Sequence, residues 1–164
     1  MSGARLLGAA VLALVLLAPD VAAQRRGGGS SIFSGPIEVG PRVGRDFENH
    51  AWSVGAVVRI QAGQRFELRP SGDAFFPRDG KTGWQANGDV AILIGPGRTV
   101  YGGGGIAFVH LNGDKTRTGY NLFAGGTTSP ESTGWKPFIE ARWTFVNDTS
   151  PFRLALGVTR RIDG

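Results

Sequence analysis

The sequence predicts an all-β fold, an antiparallel up-and-down eight-stranded transmembrane β-barrel with an N-terminal signal peptide. Three observations support this prediction. Apolar and polar residues alternate in about eight segments, which is the period of a β-strand with two different faces. Gly, Pro, Asn and Asp separate these segments at even intervals. Each segment has about 10 to 13 residues, whereas soluble strands usually have about five or six and a tilted bilayer crossing needs about 9–11.

The N-terminal segment is typical of a cleavable secretory signal. Arg5 supplies the positive charge, residues 6–17 form an apolar run too short for a comfortable transmembrane helix, and Val21–Ala23 fits the small-residue cleavage rule. We therefore expect a signal peptide over residues 1–23. Residues 24–36 form a Gly/Ser-rich linker without periodicity, and residues 37–164 form the β-barrel domain.

The composition excludes several kinds of site. The 164 residues include no Cys, so disulfides, thiolate metal sites and a lipid-modified cysteine are excluded. The formal net charge of +5 is dispersed along the chain, which argues against nucleic acid as a partner. The glycine run does not precede a helix, so it does not predict a phosphate-binding loop. We expect no cofactor.

The eight predicted strands are joined by short links rich in turn residues. Because the links are short, sequential strands are expected to pair as antiparallel neighbours. The Asn112-Gly113 pair is a strong hairpin signal, since a type I′ turn needs positive φ at both central residues. The strands are predicted near residues 37–47, 51–62, 65–76, 83–95, 98–111, 117–127, 135–147 and 151–162.

The two faces of each strand differ in chemistry. In the segment 138–146, Ile139 and Trp143 share one face while Glu140 and Arg142 share the other. The fifth and sixth strands are ambiguous, and there the apolar face is assigned to four residues. These are Ile106, Phe108, Tyr120 and Leu122.

The polar face carries about five acids and five arginines, with no lysine counted among them. An unpaired charge away from water costs several kcal/mol, and the planar fork of arginine suits carboxylates. This balance therefore predicts that the charged face points into the barrel as a paired structural network and that the apolar face meets lipid. The predicted interior network is Glu38, Arg42, Arg59, Glu67, Arg69, Asp73, Asp89, Glu140, Arg142 and Arg153.

Large aromatic residues fall near the predicted strand ends. Aromatic side chains form girdles where a membrane barrel meets the two interfaces. The predicted interfacial aromatics are Trp52, Trp84, Tyr101, Trp135 and Trp143.

Over residues 36–164 the chain resembles the small eight-stranded Gram-negative outer-membrane β-barrels of the OmpA/OmpX type. The segments that carry the resemblance are the leader end Val21–Ala23, then 101–108, 137–145 and 152–158. The resemblance implies a location in the cell outer membrane, a periplasmic N-terminus, contact with outer-membrane lipids and insertion by the barrel-assembly machinery. The chain departs from the usual pattern in its short loops and in a final segment without an aromatic residue.

The resulting functional prediction is a monomeric outer-membrane barrel of structural or unassigned role, plugged by its arginine and acid network and without catalysis. One alternative is a soluble periplasmic, lipocalin-like barrel that binds a small apolar ligand, which requires the apolar face inside. Another is a narrow channel. A third is a lipid-modifying enzyme at the rim, for which His50 near Asp46 and Ser53 would be the candidate base. The oxygens of Asn112 and Asp114 are better explained by a turn than by a metal site.

Overall fold

The computed structural model describes residues 35–78, 82–110, 115–128, 134–147 and 149–162. The predicted signal peptide, nearly all of the predicted linker and the Asn112-Gly113 turn lie outside these residues and remain predictions. Within the described residues, no helix is long and apolar enough to cross a membrane.

The structure is a closed antiparallel barrel in which each strand pairs with its neighbour in sequence and the last strand pairs with the first. The predicted all-β, antiparallel eight-stranded barrel is therefore confirmed, and the predicted strand ends agree with the observed ones to within two residues. The strands are β1 (Ile37–Asp46), β2 (Ala51–Ala62), β3 (Phe66–Phe76), β4 (Gly83–Ile94), β5 (Val100–His110), β6 (Arg117–Thr127), β7 (Lys136–Phe145) and β8 (Phe152–Ile162).

The register of the strands sets the tilt of the barrel. The stagger is found by following paired residues from strand to strand once around the barrel. A path that starts at Ile37 passes through Trp143 and Phe152 and returns to β1 at Phe47, ten residues beyond its start. With about 3.3 Å per residue and about 4.8 Å between strands, this stagger corresponds to a tilt of roughly 40°. A barrel of eight strands encloses a space that side chains can fill.

The turns lie at two ends of the barrel. We call the end with residues 63–65 and 95–99 the lower end, where β1 begins and β8 finishes, and the opposite end the upper end. Gly63 and Gly95 at the lower end have φ of 74° and 81°, a left-handed conformation that glycine adopts without steric cost.

Glycines in β5 and β8 make room for large side chains of the interior. A Cβ on Gly103 would collide with the carbonyl oxygen of Val90 and lie 2.7 Å from the Phe123 ring. A Cβ on Gly157 would lie 2.5 Å from the ring of Phe138. Glycine is therefore required at these positions because bulky inward side chains occupy the space beside them.

The outer surface of the barrel is apolar and its interior is largely polar. Exposed fractions of aliphatic side chains reach 54 % at Leu156, and the residues of the ambiguous strands, Ile106, Phe108, Tyr120 and Leu122, are exposed as predicted. The apolar clusters inside are small, such as Ala91, Leu93, Tyr101 and Phe123. The lipocalin-like alternative is wrong, because it needs an apolar interior.

Candidate functional site

The charged interior is the candidate site, and the structure places the ten residues of the predicted network on the inner face. Nine of them are buried, and the tenth, Glu67, has a side chain that is 13 % exposed. They alternate along their strands with outward residues, as the parity of the sequence requires.

Asp73 on β3 joins two arginines near the upper half of the lumen. Arg42 donates from Nε to Oδ1 at 2.8 Å and from Nη2 to Oδ2 at 2.5 Å, which is a bidentate pair. Arg153 Nη1 lies 2.9 Å from the same Oδ2. Arg42 Nη2 also donates to the Ser71 hydroxyl at 3.0 Å. One carboxylate thereby ties β1, β3 and β8 together.

Glu140 on β7 is the centre of the network. Its Oε1 accepts from Nε and Nη2 of Arg142 at 3.1 and 2.9 Å. Arg42 Nη1 lies 3.5 Å from Oε1 of Glu140, and Arg69 Nη1 lies 3.5 Å from Oε2. Arg142 continues to Asp89 on β4 through Nη1 at 2.7 Å. β3 and β7 face each other across an eight-stranded barrel, so the contact between Arg69 and Glu140 crosses the lumen.

Tyr101 is part of this interior, and its prediction as an interfacial aromatic is wrong. It is 0 % exposed, and its hydroxyl donates to Glu140 Oε2 at 3.3 Å. The guanidinium carbon of Arg69 lies 3.6 Å from its ring centroid, a cation–π contact, while Arg69 Nε and Nη2 bind Glu67 at 2.8 and 2.6 Å. Tyr101 has the same parity in β5 as Gly103 and Gly105, which indicates an inward side chain. Its position near a strand end instead led to the interfacial prediction.

Uncharged polar residues complete the upper part of the network, and the predicted site, which counted charges only, omitted them. Asn121 Nδ2 donates to Asp89 at 3.0 Å and to Asn87 at 2.9 Å. Thr144 donates to Asn121 Oδ1 at 2.8 Å, and Gln85 donates to Asn87 at 2.6 Å. Asn121 thereby binds Oδ1 of Asp89, the carboxylate oxygen that Arg142 does not contact.

The lower end of the lumen contains a lysine that the predicted network lacks. Lys136 on β7 is 2 % exposed, and its Nζ lies 2.5 Å from Glu38 Oε1, whose other oxygen accepts from Thr159 at 3.1 Å. The expectation of an interior without lysine is therefore wrong. Lys136 has the same parity as Glu140, but it stands at the first position of its strand, where face assignment from sequence is weakest.

The four tryptophans predicted as interfacial lie near strand ends on the outer surface. Trp52, Trp135 and Trp143 are 61 %, 58 % and 41 % exposed, whereas Trp84 is half-buried and stacks on His110 at 5.6 Å. The guanidinium of Arg45 lies 5.3 Å from the ring of Trp52, and that of Arg160 lies 5.8 Å from the ring of Trp135.

The candidate catalytic group at the upper rim is not assembled. The Asp46 carboxylate accepts from the backbone and side-chain nitrogens of Asn49, both at 2.9 Å. Ser53 is 2 % exposed and points into the barrel. His50 is exposed and lines a shallow cleft with Asn49 and Pro77. Across the described residues, no group of three or more His, Asp or Glu side chains is placed to hold a metal ion.

Solved structures share this architecture. The chain is similar to the N-terminal β-barrel domain of Pseudomonas aeruginosa OprF, with a TM-score of 0.64, 19 % identity, and 77 % of this chain and 97 % of that chain covered. It is also similar to Neisserial surface protein A, with a TM-score of 0.58, 12 % identity, and coverage of 82 % and 100 %. The Yersinia pestis outer membrane protein Ail is similar with a TM-score of 0.51 and 12 % identity, and 79 % of this chain and 100 % of that chain are covered.

No protein-family model and no curated protein matches the chain. At identities below 20 %, the likeness concerns the backbone and its topology. The chain has the fold of the eight-stranded outer-membrane β-barrels.

Proposed function

We propose that the protein is an outer-membrane β-barrel of structural role, whose apolar wall contacts lipid and whose lumen is plugged by the arginine and acid network, without catalysis. One observation carries the proposal: the distribution of polarity is inverted relative to a soluble protein. Arg42, Arg69 and Arg142 are among the largest fully buried side chains, while Val54, Ile92 and Leu156 are about half exposed.

The apolar wall supports the membrane location. Soluble monomers rarely expose contiguous apolar patches larger than a few hundred Å². Here large apolar side chains are exposed on all eight strands, for example Val43, Val54, Phe66 and Ile139. A closed barrel pairs its backbone groups between strands, which is the condition for a β-structure to cross lipid.

The contacts across the lumen support the plug over the channel. Arg69 of β3 reaches Glu140 of β7, and Arg59 of β2 reaches Thr127 of β6 at 3.3 Å, so side chains from facing walls meet at two heights. Removing one partner of a buried ion pair such as Arg69 and Glu140 costs about 3–5 kcal/mol, because the other charge is left uncompensated. A conducting path would have to break these pairs.

The proposal includes the remaining expected partners and topology. The barrel would be inserted by the barrel-assembly machinery, contact outer-membrane lipids and place its lower end, where β1 starts, in the periplasm. It would be monomeric, since closure leaves no unpaired strand edge for another copy to extend.

The membrane location is tested by refolding the purified chain into lipid vesicles. Folded barrel should migrate faster on SDS gels before boiling than after it, and should stay with the membrane fraction after urea washing. Brominated lipids should quench the fluorescence of the exposed Trp52, Trp135 and Trp143. Release without detergent, together with unquenched fluorescence, would contradict the membrane location. Stepwise single-channel currents across a planar bilayer would contradict the plug.

A further inference from the structure

Arg59 differs from Arg42, Arg69 and Arg142 in how the donors of its guanidinium group are used. In Arg42, Arg69 and Arg142, the Nε and Nη2 groups on one edge of the guanidinium bind a single carboxylate. Among the described residues, the same two atoms of Arg59 are buried and have no hydrogen-bond partner. The residue is 3 % exposed, and its Nη1 reaches the Thr127 hydroxyl at 3.3 Å.

The neighbouring carboxylates bind other cations. Glu38 lies directly opposite Arg59 in the β1–β2 ladder, but its oxygens bind Lys136 and Thr159. Glu67 binds Arg69. The Nε of Arg161, which lies opposite Glu38 on the other side, is also buried without a partner among the described residues.

The face of the Arg59 guanidinium is fixed by aromatic rings. Its central carbon lies 4.5 Å from the centroid of Phe138 and 5.6 Å from that of Tyr101. These cation–π contacts stabilise the charge without using its N–H groups. They leave the Nε–Nη2 edge without a protein partner in the described part of the chain.

The carboxylates beside Arg59 keep some exposure to solvent. The side chains of Glu38 and Glu67 beside it are 11 % and 13 % exposed, whereas the side chain of Asp89 in the middle is 0 % exposed. The lower end brings together Arg59, Lys136 and Arg161 against Glu38 and Glu67, so these five charges sum to a positive value.

From these observations we propose that the Nε–Nη2 edge of Arg59 binds a small oxyanion that enters at the lower end of the lumen. The ligand presents two oxygens to the two parallel N–H groups, as phosphate and carboxylates do. This site is independent of the membrane location and of the plug.

Arginine side-chain NMR of the refolded full chain tests the proposal. Inorganic phosphate should shift the Arg59 Nε–Hε resonance saturably, and sodium chloride at equal ionic strength should not. A parallel titration with acetate shows whether a carboxylate binds better than phosphate. A shift with phosphate that equals the chloride control and does not saturate, together with the same result for acetate, would overturn the proposal and leave water as the partner of this edge.

Two variants sharpen the test. Arg59→Lys keeps the charge and removes the fork, so oxyanion binding should weaken at least tenfold. Arg65→Gln removes an exposed arginine at the same end and should leave binding within about twofold. Equal binding by Arg59→Lys and wild type would contradict the proposed geometry. If Arg59→Lys fails the heat-dependent gel shift, the assigned wild-type resonance still decides the question.

Discussion

The middle of the lumen and its lower end are both lined by charged groups, but they compensate charge in different ways. In the middle, Glu140 lies within 3.5 Å of a nitrogen of each of three arginines, Arg42, Arg69 and Arg142, and each of these also binds a second carboxylate. At the lower end, Lys136 and Glu38 form a pair, and Arg59 lies against aromatic rings.

Access to water accounts for this difference. The side chains of Asp89 and Glu140 are 0 % and 3 % exposed, so these two charges must be satisfied by protein groups. The planar fork of arginine does this better than the point charge of lysine. Glu38 is 11 % exposed and can be partly hydrated, so a lysine suffices there. The middle should therefore be the more sensitive region to loss of a charge.

The largest effect is expected for Glu140→Gln. The substitution keeps the shape of the side chain but leaves three guanidinium groups with one anion fewer and turns an amide nitrogen towards them. The free energy of unfolding should fall by about 3–5 kcal/mol. Urea unfolding in lipid vesicles, followed by tryptophan fluorescence, measures the change.

Glu48→Gln is the matched control, because Glu48 is exposed in the link between β1 and β2. It should change stability by less than about 0.5 kcal/mol. If the two variants unfold at the same urea concentration, the interior network does not stabilise the barrel and the structural role proposed for it fails.

A smaller loss is expected for Lys136→Met at the lower end. The variant leaves one carboxylate, Glu38, which keeps the Thr159 hydroxyl and can draw on water. We expect a loss of about 1–3 kcal/mol, below that of Glu140→Gln. A double-mutant cycle with Glu38→Gln isolates the pair and should show coupling of about 1 kcal/mol. A loss as large as that of Glu140→Gln would show that both regions depend equally on paired charges.

The sequence predicted the wall of the barrel better than the contents of its lumen. Alternation with period two assigns a face to each residue, so strand order, strand ends and the outward position of residues such as Leu122 follow from it. The partners inside do not follow, because the contact between Arg69 and Glu140 depends on the stagger of the strands and on side-chain length. At strand ends, where few neighbours define the parity, Tyr101 was misassigned and Lys136 was omitted.

The smallest effect on stability is expected for Arg59→Met, the variant that separates the two regions most directly. The variant loses a cation–π contact with Phe138 that is worth about 1–2 kcal/mol. It also removes an unfavourable buried charge, since Nε and Nη2 of Arg59 lack partners among the described residues. The methionine chain can pack on Phe138, so the two contributions nearly cancel and unfolding should shift by less than about 1 kcal/mol.

Arg142→Met makes the same change of side chain in the middle of the lumen. Its free energy of unfolding should fall by about 3–5 kcal/mol, because both Asp89 and Glu140 lose their pairing with Arg142. Equal losses in the two variants would mean that Arg59 is as fully compensated as Arg142. Phosphate adds a second distinction. Phosphate also stabilises folded proteins without binding, because it is excluded from their surface. An oxyanion bound at Arg59 adds stabilisation by mass action, so phosphate should raise the urea midpoint of wild type and of Arg142→Met more than that of Arg59→Met.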